Sequence, residues 1–435
     1  MKMSILSNQW LWTLMVVCLF GTVTAQSVPT PAPAQKGSLL LTNATIHIGN
    51  GQVVEKGGVM IRDGKIEQAG ELRGRLAADQ TIDLQGQHVY PGLIAPTTQI
   101  GLDEIEAVRA TDDKAETGQV NPNVRAIIGY NTDSRVTPTI RSNGILFAQI
   151  APTGGIFTGT SSVVQLDAWN YEDAAYALDD AVHLRWPRMR VWSNNPRNPV
   201  QKQKERIAQR LQQITLAMDE AHAYYTARQT DRLIRTDVRW EAMLPIFSLE
   251  KPLFVYANSE KEIRAVLAFQ LIHGIRVVLV GGADSWRLTE ELKAQNIPVV
   301  LRQVHSRPRL DDGDIDQPFK TPKLLKDAGV PFCFTMKDFW NMRNLPFQAG
   351  TAATHGLTKE EALQAVTLDA ARILGIDSIT GSLEAGKDAN LVVSKGDLLD
   401  MMGNNVTMAL IQGRSIDLGN KQKALYEKFK QKYAE

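Results

Sequence analysis

"TIDLQGQHVYPGLIAPTTQ", residues 81–99, marks a change of texture in the chain. Before its Pro91-Gly92 break, from Leu39 to Tyr90, short β-like runs alternate with glycine turns: "LLLTNATIHI", "GNG" and "GGVMIRDGKIEQAG". Asp63-Gly64 between two alternating runs predicts a hairpin, because a tight turn needs positive φ, which Gly and Asp tolerate best. After the break, apolar runs ("GILFAQIAP", "SSVVQLD", "KPLFVYAN", "IRVVLVGG", "IPVVLRQV", "VPFCFTM") alternate with helical stretches such as "EKEIRAVLAFQLIHG" and "DSWRLTEELKAQ". Apolar runs of this kind, separated by amphipathic helices, predict parallel βα units with strands buried on both faces. So many units in one stretch point to a closed (β/α)8 barrel rather than an open sheet. "GSLEAGKDANLVVSKG" and "NNVTMALIQGRSI" then return to glycine-punctuated β structure. The expected fold is α/β: a TIM-like barrel over 91–378 inserted in a small β-sandwich built from both ends of the chain, 39–90 and 379–420, with a C-terminal helix over 421–435.

The first residues predict export. A polar start with Lys2 leads into the apolar run Trp10 to Phe20, and "GTVTAQ" follows with small residues at Val23 and Ala25. That is the layout of a secretory signal peptide over 1–25, cut after Ala25, and its apolar run is too short to span a bilayer. Cys18 sits in that run behind two valines and reads as signal core. "QSVPTPAPAQKGS", residues 26–38, has nothing to bury and reads as an extended Pro/Ala-rich tether. The expected location is periplasmic or secreted, with no membrane span after cleavage. Cys333 is then the one remaining cysteine, so no internal disulfide forms. A formal charge of +1 and an apolar share of 43% argue against both a nucleic-acid footprint and an acidic disordered chain. The basic run "KQKERIAQR", residues 202–210, falls on helical spacing and reads as a solvated helix face.

Three stretches carry a resemblance. "LLLTNATIHIGNG…GGVMIRDGKIEQAG…IDLQGQHVYPGLI" resembles the amino-terminal sandwich and first barrel strand of the amidohydrolase superfamily, near its imidazolonepropionase-like and dipeptidase-like exported members. "TKEEALQAVTLDAARILGI" and "TGSLEAGKDANLVV" resemble that family's last barrel helix and returning sandwich strand. The resemblance implies metal-dependent hydrolysis of C–N bonds in amides, cyclic amides or dipeptides. In such a site, imidazole and carboxylate ligands at the carboxyl ends of barrel strands hold one or two divalent cations, and bound water becomes hydroxide near neutral pH.

Matched against that pattern, this chain lacks the ligands. Where the family continues Asp-x-His-x-His after "PGLI", the two histidine positions hold Thr97 and Gln99, whose neutral oxygens suit Zn²⁺ poorly. The fifth-strand position falls on Tyr256, the sixth on Gly281 beside Gly282, and the eighth on Met336, with Asp338 two residues later as the relic of a proton shuttle. No lysine stands at the fourth-strand position. His305, after the strand "IPVVLRQV", and His183, in "DDAVHLRWP", are the histidines placed to line a pocket; His47, His88, His222, His273 and His355 read as solvated or capping. Asp103, Glu104 and Glu106 in the long loop after the first strand could bind a cation, and the Gly-Gly turn of "APTGGIFTG" could cradle an anion.

No metal cofactor is therefore expected. The leading expectation is a non-catalytic subunit or binding protein, paired with a metal-bearing paralogue or with itself, and with a small-molecule ligand that the sequence does not identify. The alternative is an active C–N hydrolase with a non-standard or single-metal site in which Asp338 and His305 are catalytic.

Overall fold

The computed structural model describes residues 30–74, 76–105, 107–193, 197–230, 235–302, 304–308 and 313–434. The expected signal peptide, the first residues of the tether, and Glu106 lie outside the described residues. The compact unit from Ala32 to Glu435 holds all the secondary structure among the described residues.

Among the described residues, sixteen strands fall into two sheets. The first sheet takes β1 (Ser38–His47), β2 (Val53–Arg62), β3 (Lys65–Gly70), β4 (Gln80–Asp83) and β5 (His88–Pro91) from one end of the sequence, and β14 (Leu391–Ser394), β15 (Val406–Ile411) and β16 (Arg414–Ser415) from the other. Asp63 and Gly64, with φ of 46° and 79°, turn β2 into β3 as the sequence predicted. The two ends meet where β5 pairs antiparallel with β14. These strands form one continuous hydrogen-bonded sheet rather than two separate ones. Asn43, at φ 56°, breaks the regular run of β1, whose first half pairs with β4 and second half with β5. Leu41, Ile46, Ile61, Val89, Leu391 and Leu410 pack into a single apolar core on this sheet.

The second sheet runs β6 (Leu93–Thr98), β7 (Ile145–Ile150), β8 (Phe157–Gln165), β9 (Ala175–Arg185), β10 (Leu253–Ala257), β11 (Val277–Gly281), β12 (Val299–Arg302) and β13 (Phe332–Thr335), each strand beside the next in sequence. Most of their residues are buried, as expected when a sheet is covered on one face and closed on the other. The wrap is completed at β13, where the Thr335 hydroxyl donates to the Pro96 carbonyl and meets the Thr97 hydroxyl at 3.4 Å.

One strand departs from the all-parallel expectation. β8 runs antiparallel to both β7 and β9, giving seven parallel strands and one reversed. The cause is local: Gly154 and Gly155, both at positive φ, close the β7–β8 connection as a short loop, and a parallel crossover needs a dozen residues or more. The long helix Val200–Thr230 fills the gap between β9 and β10, and most of its 202–210 face is exposed, as its charge pattern predicts.

Asp167, just past β8, fastens barrel to sheet. Its carboxylate accepts from Arg141 Nη1 at 2.7 Å, from Arg414 Nη1 at 3.0 Å and from the Ala32 N–H at 2.9 Å. Arg141 ends the helix Thr137–Arg141 before β7, whereas Arg414 belongs to β16, so one buried carboxylate neutralises guanidiniums from both parts of the molecule. Asp167→Ala strands both charges, and an expected loss of about 3–5 kcal/mol should appear as a lower urea midpoint with unchanged slope, Asp167→Asn losing less.

Candidate functional site

Residues in register on neighbouring strands share a face of the sheet. Arg185 on β9 pairs with Tyr256 on β10, Tyr256 with Val280, Val280 with Val300, and Val300 with Cys333. Two residues farther along the same faces stand Arg302 and its partner Thr335, which closes the barrel through Pro96. These groups therefore belong to the barrel interior at the carboxyl ends of the strands, where barrels of this type place their sites.

Five of the expected site residues lie at these strand ends. Thr97 and Gln99 lie at the end of β6, Tyr256 in β10, Gly281 at the end of β11 and Met336 directly after β13. Gly281 is required: at φ 107° a Cβ would sit 2.5 Å from Asn258 Oδ1 and 2.9 Å from the Ala257 carbonyl. Thr97 is buried, with φ 50°, and its N–H donates to Gln149 Oε1 at 3.1 Å. His183, with no exposed surface, bonds through Nδ1 to the Tyr256 hydroxyl at 3.0 Å. Gln99, Asp103, Lys114, Arg185, Met336 and Asp338 line an open cleft of about 380 Å³ over this mouth.

Two residues that sequence reasoning passed over dominate the charge. Arg185 ends the fourth barrel strand, its guanidinium 5.7 Å from the Tyr256 ring centroid. Arg302 ends the seventh and donates to the Lys337 carbonyl at 3.1 Å. Neither has a carboxylate partner among the described residues. Burial lowers the Arg302 pKa, Tyr256 raises it, and the Arg185 charge lowers it again. Burial pushes the Tyr256 hydroxyl up to about 12 against the pull of both guanidiniums. The signal was present: both arginines close an apolar strand run, "AVHLR" and "VVLR".

This donor set does not fit a divalent metal. Hydroxyl, amide, phenol and thioether groups beside two guanidiniums offer no paired imidazoles or carboxylates, and no cluster of three or more His, Cys, Asp or Glu able to hold an ion occurs among the described residues. The nearby acids are engaged. Asp103 is paired to Lys114, which also reaches Asp112 at 3.2 Å, so this loop carboxylate meets a cation supplied by the chain itself. Asp338 Oδ1 caps the turn Asn341–Asn344, accepting from the N–H groups of Trp340 at 2.7 Å and Asn341 at 3.0 Å.

His305 does not join Asp338. It is exposed, bonds through its N–H to Gln348 and through Nε2 to Thr351, and lines a separate groove of about 470 Å³ with Phe347, Lys359 and Asp397. Beyond β12 the backbone N–H of His305 reaches Gln348 in the helix Leu345–Thr354. The Gly154-Gly155 turn connects β7 to β8, and the Gly155 carbonyl accepts from Arg210 at 2.6 Å.

Residues 315–416, covering the end of the barrel and the return to the first sheet, match the model of the amidohydrolase family. A 114-residue stretch, 24% of this chain, is 33% identical to amidohydrolase tasK of Hapsidospora irregularis, of which it spans 12% of the length. Among solved structures, an amidohydrolase from Thermotoga maritima superposes with a TM-score of 0.75 at 23% identity, over 87% of this chain and 99% of the other. An adenosine deaminase from Xanthomonas campestris with bound zinc gives a TM-score of 0.53 at 16% identity, over 92% and 98%. At these identities the structural likenesses carry the fold.

Below the mouth lies a polar layer absent from the sequence reading. Gln149 on β7 donates to Asp180 on β9 at 2.5 Å and to Ser161 on β8 at 3.2 Å, and Ser161 donates to Asp180 at 2.8 Å. Burial drives the Asp180 carboxyl up to about 6 despite these bonds. Burial drives His183 down to about 3. The two act in opposite directions on stability. Unfolding lets His183 take up a proton near pH 6.5, so its contribution is present above that pH and lost as pH falls toward 3. Asp180 binds its proton more tightly when folded, so its contribution is present below about pH 3.8 and lost as pH rises toward 6. Urea midpoints recorded across this range should fall less steeply on acidification in His183→Gln and more steeply in Asp180→Asn than in the parent.

Proposed function

We propose that the chain is an exported member of the amidohydrolase superfamily that has given up divalent-metal hydrolysis and works as a ligand-binding protein or non-catalytic subunit. The carrying observation is what occupies the strand ends: Thr97, Gln99, Tyr256, Gly281 and Met336 at the ligand positions, with Arg185 and Arg302 placed among them. A guanidinium repels a metal cation and cannot ligate it, so the change is a reversal of the site's charge as well as a loss of donors. The hydrolase alternative has less support, because Asp338 is a turn cap and His305 opens on another groove. A metal-bearing paralogue or a second copy of the chain remains the partner this reading calls for.

The scaffold itself is intact, with a closed apolar barrel and a mouth open to solvent, which suits a retained binding role. The test is elemental mass spectrometry on protein purified without chelator and then challenged with excess Zn²⁺ and Mn²⁺. The expected result is retained metal far below one equivalent, together with no metal-dependent release of product from dipeptides or cyclic amides. Near-stoichiometric metal with turnover of either substrate class would sink the reading.

A further inference from the structure

Arginines stand at two cavities of the barrel mouth: Arg185 lines the open cleft, and Arg302 lines a cavity of about 220 Å³ that also holds Asp284 and Asp314, the latter paired to Lys320. Arg185 and Arg302 come from strands three apart in the sheet; the Arg185 guanidinium lies 5.7 Å from the Tyr256 ring centroid, and the register from Tyr256 through Val280 to Val300 puts Arg302 two residues farther along the same inner face. Arg210, from the long helix, adds a third guanidinium whose charge is pressed by Arg185 and which donates to a backbone carbonyl, that of Gly155. Lys337 and Lys114 line the same cleft. Of the cleft's acids, Asp103 is neutralised by Lys114, and one oxygen of Asp338 is held by two backbone N–H groups. Like charges gathered in a half-buried place cost free energy unless an anion joins them.

The neighbouring histidine sharpens the picture. His183 Nε2 is buried with no partner, and its Nδ1 is bonded to the Tyr256 oxygen. A buried N–H without an acceptor is costly, so the cheaper tautomer keeps its hydrogen on Nδ1 and donates it to Tyr256. That leaves the phenol hydrogen free to point elsewhere, as a neutral donor beside the two forks. Arginine forks and a hydroxyl together suit the oxygens of a carboxylate or phosphate.

We propose that the barrel mouth binds a small oxyanion-bearing molecule, a carboxylate or a phosphoryl compound, between Arg185 and Arg302 with Tyr256 donating a third bond, at the place where relatives hold their metal. The inference rests on the metal-free reading above and gives it a ligand class. The site is a receptor for negative charge, so ligand affinity should fall with salt.

The experiment is calorimetric titration of the protein with inorganic phosphate and, separately, with acetate, at low ionic strength and after chelator treatment. Saturable binding of either anion, weakened about tenfold or more in Arg185→Gln and in Arg302→Gln, supports the proposal; preference for phosphate assigns a phosphoryl ligand, and preference for acetate a carboxylate. Thermal melting without anion guards against misfolded variants. Relief of like-charge crowding should leave both variants melting at or above the parent temperature, and Arg302→Lys, which keeps the charge and loses the fork, should also bind more weakly. No saturable binding of either anion, or binding equal in the parent and both Gln variants, overturns it. Metal retained before chelation would sink the metal-free reading alone, because the arginine dependence is read on stripped protein.

Discussion

The seam between β13 and β6 is the constraint on which the rest of the molecule hangs. A barrel must join its first strand to its last, and β6 brings Pro96 to that join, a residue with a carbonyl to satisfy and no N–H to offer. A regular ladder cannot run through it. The Thr335 hydroxyl supplies the missing donor, and Thr97, turned to positive φ, sends its N–H the other way, to Gln149 on β7. From Gln149 the bonding passes to Ser161 and Asp180, so four consecutive strands are tied by side chains inside the barrel. The kink that closes the barrel is thus the same kink that positions the first residue of the site.

Above that layer the interior changes character. Two of the strand ends themselves carry cationic side chains. Hydrophobic strands set the positions of Arg185 and Arg302; the closing curvature turns both strand ends inward; and buried His183 bonds the half-buried Tyr256 beside them. The reversed strand β8 contributes to this arrangement, because the short β7–β8 loop brings Gly155 within reach of Arg210. Asp167 plays the corresponding part outside the barrel, answering two guanidiniums that would otherwise be stranded between barrel and sheet. The contrast is informative: the molecule neutralises buried arginines where they hold the fold and leaves them unneutralised at the mouth.

Much of the fold was legible because it is written locally. Alternation, glycine turns and apolar runs mark the strands of both sheets, and the Pro91-Gly92 break marks the passage from one to the other. The reversal of β8 was not legible, since an apolar strand reads the same in either direction and only the length of its connection decides. In the site, the residues at the strand ends could be read by counting from "PGLI", "LFVYA" and "VLVGG". His305 misled because following a strand in sequence does not fix which way the chain turns afterwards. Asp338 misled because a carboxylate near a strand end is as useful to a turn as to a substrate.

The sequence by itself determined the two-part α/β architecture and the residues that stand at the strand ends, Thr97, Gln99, Tyr256, Gly281 and Met336, since periodicity and motif register are properties of neighbouring residues. Only the tertiary structure decided which charged residues gather among them. Arg185 and Arg302 are far apart along the chain, and they become one positive site because a closed barrel turns the ends of separate strands toward a common axis.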